Sequence, residues 1–231
     1  MKVIIIHGQD YQGSTYYIGR CIAEKLENAT IVEYFLPRDF NQFCTGCAKC
    51  FNEGGEYCPH YQEISPISLE TDSADVVILT SPVHELHITG TMKVFLEHNA
   101  YCWLYHRPKE EMFSKQAVCV STAAGMGVKS TNKELEENLF WLGIPKIYKI
   151  GIVLHASSID EATNSTKRKI EKKVKKISKK INKNVGKVRP GIKTKVLFYF
   201  MRMIQNEEWS AINYNYWKEK GWLGKARPWK K

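Results

Sequence analysis

Five short runs of aliphatic and β-branched residues recur along the first two-thirds of the chain, at residues 2–6, 30–36, 74–80, 116–122 and 146–154. Helix-period segments lie between several of them. Ile18, Ile22 and Leu26 share one face behind Ser14 and Thr15, either of which suits a helix cap. A helix is expected over residues 90–105, with Met92, Phe95 and Leu96 inward, and another over 130–142. Short apolar strands alternating with helices form a parallel sheet covered on both faces, an α/β doubly wound fold. Such sheets bind ligands beyond the carboxyl ends of their strands. The loops after strands one, three and four are therefore where chemistry is expected. The longest apolar runs, such as Val76–Leu79 and Val196–Ile204, fall far short of the ~20 residues that cross a bilayer.

The loop after strand one reads Gly8-Gln9-Asp10-Tyr11-Gln12-Gly13-Ser14-Thr15. A nucleotide P-loop needs a lysine between its second glycine and the hydroxyl residue, and none stands here, so an NTPase is not expected. A G-x-G-x-x-G dinucleotide fingerprint is also missing. What remains suits a single terminal phosphate: backbone N–H groups, two hydroxyls and a helix N-terminus. An ordinary strand-to-helix turn with a Ser/Thr cap is the alternative.

Three loops in order carry a family resemblance. Ile5-Ile6-His7-Gly8 through Gly13-Ser14-Thr15 resembles the FMN-phosphate loop of flavodoxin-like NAD(P)H-dependent oxidoreductases. Ser81-Pro82-Val83-His84-Glu85, followed by Gly90, Met92-Lys93 and Phe95-Leu96, resembles their second loop, with His84 where tyrosine is usual. Ser121-Thr122-Ala123-Ala124-Gly125-Met126-Gly127 resembles the third. The resemblance covers residues 2–155 and implies a flavodoxin-like five-stranded sheet of order 2-1-3-4-5. It also implies FMN as cofactor and NAD(P)H as co-substrate. The cofactor-binding residues it implies are Gly8, Gln9, Gly13, Ser14, Thr15, Ser81, Pro82, Val83, His84, Glu85, Ser121, Thr122, Ala123, Gly125 and Gly127. The flavin would carry the redox chemistry, so no catalytic side chain is expected. His84 and His106 are the titratable groups nearest this site, with structural or surface roles favoured over proton transfer. Arg107 is expected at the surface, with a contact to a nicotinamide cofactor's phosphate as the alternative.

Four of the seven cysteines crowd into Cys44-x2-Cys47-x2-Cys50-x7-Cys58. A disulfide is disfavoured if the compartment is reducing. A structural zinc site usually draws its ligands from two separated pairs. The C-x2-C-x2-C rhythm is one that wraps a [4Fe-4S] cubane, with a distal cysteine completing the thiolates. It resembles the compact motif of iron–sulfur flavoproteins, which share the flavodoxin-like fold. Flavodoxin-like oxidoreductases also keep a C-x-G-C-x-x-C loop of free thiols, so both readings stand. Acidic residues commonly follow the last cysteine in those relatives; here Pro59-His60-Tyr61-Gln62 follows. In either case the loop is expected beside the flavin edge.

Charge divides the chain. Residues 1–158 carry a net charge of −5 and residues 159–231 a net of +15. A nucleic-acid-binding body would itself be basic, so nucleic acid is not the expected partner. The lysine-rich segment 159–184 has an apolar stripe, Ile170, Val174, Ile177 and Ile181, and reads as the last helix of the fold. Residues 196–231 hold 9 of the 27 aromatics, too many for a disordered tail. Trp209, Tyr216, Trp217 and Trp222 are the expected anchors, at a subunit interface or over the flavin; peripheral membrane contact is the rival. The organisation expected is residues 1–185 as a flavodoxin-like FMN-binding domain and 186–231 as a basic, aromatic-rich extension. Met1 to Ile6 runs straight into a strand without a secretory cleavage site, so a cytoplasmic location is expected. The function expected is an FMN-dependent oxidoreductase that takes hydride from NAD(P)H and reduces a quinone, flavin or other small acceptor, as a homo-oligomer. The alternative is an iron–sulfur flavoprotein passing electrons between a [4Fe-4S] cluster, FMN and a redox-protein partner.

Overall fold

The computed structural model describes residues 1–230. Strands β1 (Lys2–His7), β2 (Thr30–Phe35), β3 (Val76–Pro82), β4 (Gln116–Ala123) and β5 (Lys146–Val153) are all parallel, in the order β2-β1-β3-β4-β5. This is the flavodoxin-like order.

Because strand side chains alternate, β1 sends Ile4 and Ile6 to one face and Val3 and Ile5 to the other. The first face packs with Val77, Leu79, Ala117 and Cys119 beneath α3 (Tyr61–Ser73), α4 (Gly90–Glu97) and α5 (Val128–Trp141). The second packs with Ile78, Val118, Val120 and Ile150 beneath α1 (Ser14–Glu24) and α6 (Asn164–Asn184). Each fully buried aliphatic side chain contributes about 1.5–3 kcal/mol of transfer free energy. The α6 stripe is buried at Ile170, Val174, Ile177 and Ile181, so its lysines face solvent.

Several elements depart from the expectation. Gly13, in extended conformation, caps α1, and Ser14 and Thr15 are its first two helical residues. The helix expected to reach residue 105 stops at Glu97. There the His98 Nδ1–H donates to the Val94 carbonyl (2.8 Å) and the Asn99 amide to Phe95 (2.9 Å), competing for the final carbonyls. Helix α3 is not marked by the pattern, because Pro66 lies inside it and only Ile64, Ile67 and Thr71 face inward. The cysteine segment is interrupted by a single helical turn, α2 (Lys49–Asn52).

The carboxy-terminal residues fold into α7 (Ile192–Met203) and α8 (Ala211–Glu219). They pack on their own chain rather than reaching over the sheet end. Phe198, Met201, Trp217 and Trp222 close a third core with Leu104 and Phe113, from the segment between α4 and β4. Phe198 is the hub, with ring centroids 4.9 Å from Trp217 and 5.6 Å from Trp222. Of the expected anchors, Trp217 and Trp222 are buried and Tyr216 is half-buried, its hydroxyl donating to the Pro108 carbonyl at 2.7 Å. Trp209 is 75% exposed, in the turn between the two helices.

Candidate functional site

The register aligns three strand ends. His7 lies opposite Thr80, and Ser81 and Pro82 lie opposite Ser121 and Thr122. The loops that follow are laced together. The Gly8 N–H donates to Thr80 (2.7 Å), the Val83 N–H to Thr122 (2.9 Å), and the Thr91 hydroxyl to the Gly8 carbonyl (2.8 Å). Two glycines are required by close approach. A Cβ at Gly8 would stand 2.7 Å from Thr89 Oγ1. One at Gly127 would stand 2.5 Å from Val83 Cγ1, and Gly127 also has φ +93°.

The first loop holds two polar atoms that the fold itself does not satisfy. Thr15 Oγ1 and Gln9 Oε1 are buried without a partner. Leaving such a group unpaired costs about 1–3 kcal/mol. They lie at the open N-terminus of α1, which has no side-chain cap. Unpaired N–H groups, the positive end of the helix dipole and an unsatisfied hydroxyl together suit a phosphate. Ser14 is half-buried beside them.

The second loop turns back on itself. His84 and His87 exchange both backbone hydrogen bonds (3.0 and 2.8 Å), with Glu85 (φ 47°) and Leu86 (φ 65°) at the centre. This is a type I′ arrangement made without glycine or asparagine, and it stores strain in the loop after β3. His84 and Glu85 are exposed. Ser81 and Ser121 are both fully buried. Ser81 Oγ accepts from the Thr89 N–H (3.0 Å), and Ser121 Oγ donates to the Val128 carbonyl (3.2 Å). They hold their loops in shape. Thr122 is buried and Ala123 half-buried, while Gly125 is exposed.

Sequence reasoning missed His7. It is fully buried at the end of β1, stacked on Phe35 at 4.5 Å. Its Nε2 faces Glu33 (3.1 Å) and its Nδ1 faces Thr80 Oγ1 (3.0 Å); Glu33 in turn pairs with Arg20. Burial lowers the His7 pKa more than Glu33 raises it, so the ring is neutral, donating to Glu33 and accepting from Thr80. A histidine closing an apolar strand gives no periodic signal. Exposed Tyr11 (66%) and Met126 (70%) were also missed; both stand on the loops at this sheet end.

The cysteine segment is tied to this region at its start, where Arg38 lies 3.6 Å from Asp10 of the first loop. Its middle is bracketed by Arg107. That guanidinium donates to the carbonyls of Cys50 and Phe51 (3.0 Å for Phe51) and to Asn213 Oδ1 of α8 (2.9 Å). Arg107 is thus buried and not at the surface, and three of its N–H donors are spent on those carbonyls and the amide. His106 is likewise withdrawn from the flavin loops. Its Nδ1 faces the Asn213 amide (3.1 Å) and its carbonyl accepts from Trp217 Nε1 (2.7 Å). Burial, then the Arg107 charge, pulls its pKa down to about 4.

Cys44, Cys47, Cys50 and Cys58 all line one cavity of about 110 Å³, shared with His60, Glu97 and His98. Within it, donor atoms of Cys58, His60 and His98 all lie within 4.8 Å of one another. Cys44 and Cys47 are exposed, and Cys50 and Cys58 are half-buried. Burial, with the neighbouring thiols, raises the Cys50 pKa.

Sheet order, loop positions and an unsatisfied phosphate-type cradle define a flavodoxin-like flavin-binding architecture. Residues 1–157 match the model of the NADPH-dependent FMN reductase family, and the chain belongs to that family. Among solved structures, it shares its fold with an FMN-dependent NADH-azoreductase of Bacillus anthracis determined with FMN (TM-score 0.57, 14% identity, 77% of this chain and 100% of the other). An NADH:FMN oxidoreductase in its apo form is similar (0.59, 13%, 83% and 95%). So is a flavone reductase (0.60, 13%, 83% and 66%). An iron–sulfur flavoprotein of Archaeoglobus fulgidus is 34% identical over 55 residues. That match spans about a quarter of each chain (24%). FMN is the family's cofactor; Thr15 and the α1 N-terminus fit its phosphate, and the acceptor Gln9 Oε1 fits a hydroxyl of its polar chain. Among the described residues, no helix is long and apolar enough to cross a membrane.

Proposed function

We propose that this protein is an FMN-dependent oxidoreductase that takes hydride from NAD(P)H and reduces a small acceptor of the quinone, flavin or azo class. The observation that carries the reading is the buried, unpartnered Thr15 hydroxyl at the uncapped start of α1, on the same sheet end as two close-packed loops. FMN, when bound, would supply the two-electron redox chemistry. The residues supply placement. Gly13, Ser14 and Thr15 hold the phosphate, and Gln9 accepts a hydrogen bond from the polar chain. Pro82, Val83 and the 84–87 turn flank the ring on one side. Thr122, Ala123, Gly125 and Gly127 leave it room on the other. Ser81, Ser121, Thr89 and Thr91 keep the three loops in register.

The test is stopped-flow oxidation of NADH and NADPH by FMN-loaded protein, with a quinone, an azo dye and free flavin as acceptors. Flavin bleaching by one of the nicotinamides and recolouring by at least one acceptor is expected. Fully loaded protein that neither nicotinamide bleaches overturns the reading. A second reading, single-electron relay through a [4Fe-4S] cluster to a redox protein, draws on the four thiols that line one cavity. Iron and acid-labile sulfide in anaerobically purified protein test it. Homo-oligomerisation belongs to this proposal too. The outer face of α7 exposes Ile192, Val196, Phe200 and Met203, an apolar surface suited to a second copy. A monomer by sedimentation, or co-sedimentation of that monomer with anionic vesicles, counts against it.

A further inference from the structure

The cysteine cavity holds more than thiols. Cys58 sits just before α3, His60 caps that helix, and His98 caps the far end of α4. Among the described residues these three form the one group of histidine, cysteine or carboxylate donors that converges this tightly, within 4.8 Å. None of the first three cysteines of the motif belongs to it.

The histidines are prepared as ligands. His98 is buried, packed edge-on against Phe40 at 4.8 Å. Its Nδ1–H is spent on the Val94 carbonyl at 2.8 Å, which leaves Nε2 with a bare lone pair aimed at the group. A ligating histidine is usually oriented in this way, with its other ring N–H on a backbone carbonyl. His60 Nδ1 lies 2.9 Å from that Nε2. Without a metal, His60 donates its proton across this gap. At a metal–nitrogen distance of about 2.05 Å, tetrahedral ligands stand about 3.35 Å apart, so the two rings need to separate by only about 0.4 Å. The fourth direction opens into the cavity that Cys44, Cys47 and Cys50 line.

We propose that Cys58, His60 and His98, with one thiolate of the Cys44–Cys50 turn, bind a single borderline-soft divalent metal ion of the zinc class, which staples the cysteine loop to the end of α4. Two nitrogen and two sulfur ligands in tetrahedral array suit zinc. On binding, Cys58 and the second cysteine each release a proton to solvent, and His60 moves its own from Nδ1 to Nε2. No electron is exchanged. The site lies at the opposite end of α4 from the flavin loops. At ~1.5 Å per residue the eight residues of Gly90–Glu97 put it about 12 Å from the helix start, so its role is structural. It is independent of the FMN reading. It competes with the cluster reading, because Cys58 cannot serve both.

The experiment is a titration of the reduced full-length chain with Co²⁺ alone, followed by visible absorption, with zinc competition and metal analysis. One ion per chain, intense tetrahedral d–d bands and a thiolate charge-transfer band are expected. H98A and H60A should each weaken binding by about 100-fold or more, and C58S, which removes one of the two thiolates, should remove about half of the charge-transfer band. Zinc should raise the melting temperature of the wild type but not of H98A, while far-UV dichroism shows H98A folded. T15V should bind the metal as the wild type does, so a failure here is separate from a failure of the flavin site. H98Q serves as the second variant if H98A does not fold. No uptake of cobalt or zinc overturns the proposal. So does anaerobic protein with about four irons and four sulfides per chain, undiminished in H60A and H98A.

Discussion

The sheet and the carboxy-terminal layer are held together by different materials. Both sheet faces bury aliphatic side chains at alternating positions, Ile4 and Ile6 against Val3 and Ile5, so each residue's period names the helix it meets. The third core is aromatic, irregular and off the sheet, joining Trp217, Trp222 and Phe198 to Leu104 and Phe113. Large rings confer stability through area and shape rather than through a repeat. Aromatic density thus announces that a segment is buried without saying against what. Arg107 and Asn213 then lock this layer to the cysteine loop, so the two regions share one bracket.

The largest effect should come from the aromatic core, at Trp217, which packs on the Phe198 hub. Trp217→Ala should lower unfolding free energy by about 3–5 kcal/mol, whereas Ile78→Val in the sheet should cost only about 0.5–1.5 kcal/mol. Urea denaturation followed by far-UV dichroism checks both. Equal small losses would mean the extension packs loosely and the contrast fails.

Next in size is the phosphate cradle. Ser14→Ala with Thr15→Ala removes two neutral donors to a charged group, each contributing about 1.5–3 kcal/mol, so FMN affinity should fall at least tenfold. Quenching of flavin fluorescence measures it, and unchanged affinity would reduce the loop to an ordinary turn. The carboxy-terminal layer predicts the converse: Trp217→Phe should leave FMN affinity alone.

A smaller effect is expected from pH. His106 has its pKa lowered to about 4 by burial, against 6.5 when unfolded, and His7 is lowered in the same direction. Below pH 6.5 the unfolded chain therefore binds more protons than the folded one. Stability should be full above that pH and fall as pH drops from about 6.5 toward 4, by at most about 1.4 kcal/mol per pH unit for each histidine. His106→Gln should flatten the part of this slope that belongs to the carboxy-terminal layer. A slope that the substitution leaves intact would assign it to the other buried histidines lowered in the same direction, His7 and His98. Smallest is Glu85→Asn, which should add about 1 kcal/mol or less by easing a left-handed residue of the 84–87 turn. A loss of melting temperature would show that Glu85 has a stabilising partner.

How far the sequence could be read follows the same division. All five strands and the α6 stripe were visible because period-2 and period-3.6 patterns are direct consequences of burial. The order of the sheet came with the three loop motifs in register. Helix α3 was hidden by Pro66 and a thin stripe, and the early end of α4 by side-chain bonds from His98 and Asn99 that no periodicity records. In the site, the glycines and hydroxyls of the first loop stood out by composition. Their roles did not: Ser81 and Ser121 carry the same hydroxyl as Ser14, yet spend it on loop backbone. His98 stands 38 residues from His60, so their meeting needed the fold.

The central claim is that the unsatisfied hydroxyl of Thr15 and the open start of α1 hold a flavin phosphate. Calorimetric titration of the wild type and Thr15→Val with FMN and with riboflavin, which lacks the phosphate, isolates that contact. The account predicts that the wild type prefers FMN and that most of this preference disappears in Thr15→Val, while riboflavin affinity stays the same. Equal affinity of the wild type for both flavins, or a preference that Thr15→Val preserves, would contradict it.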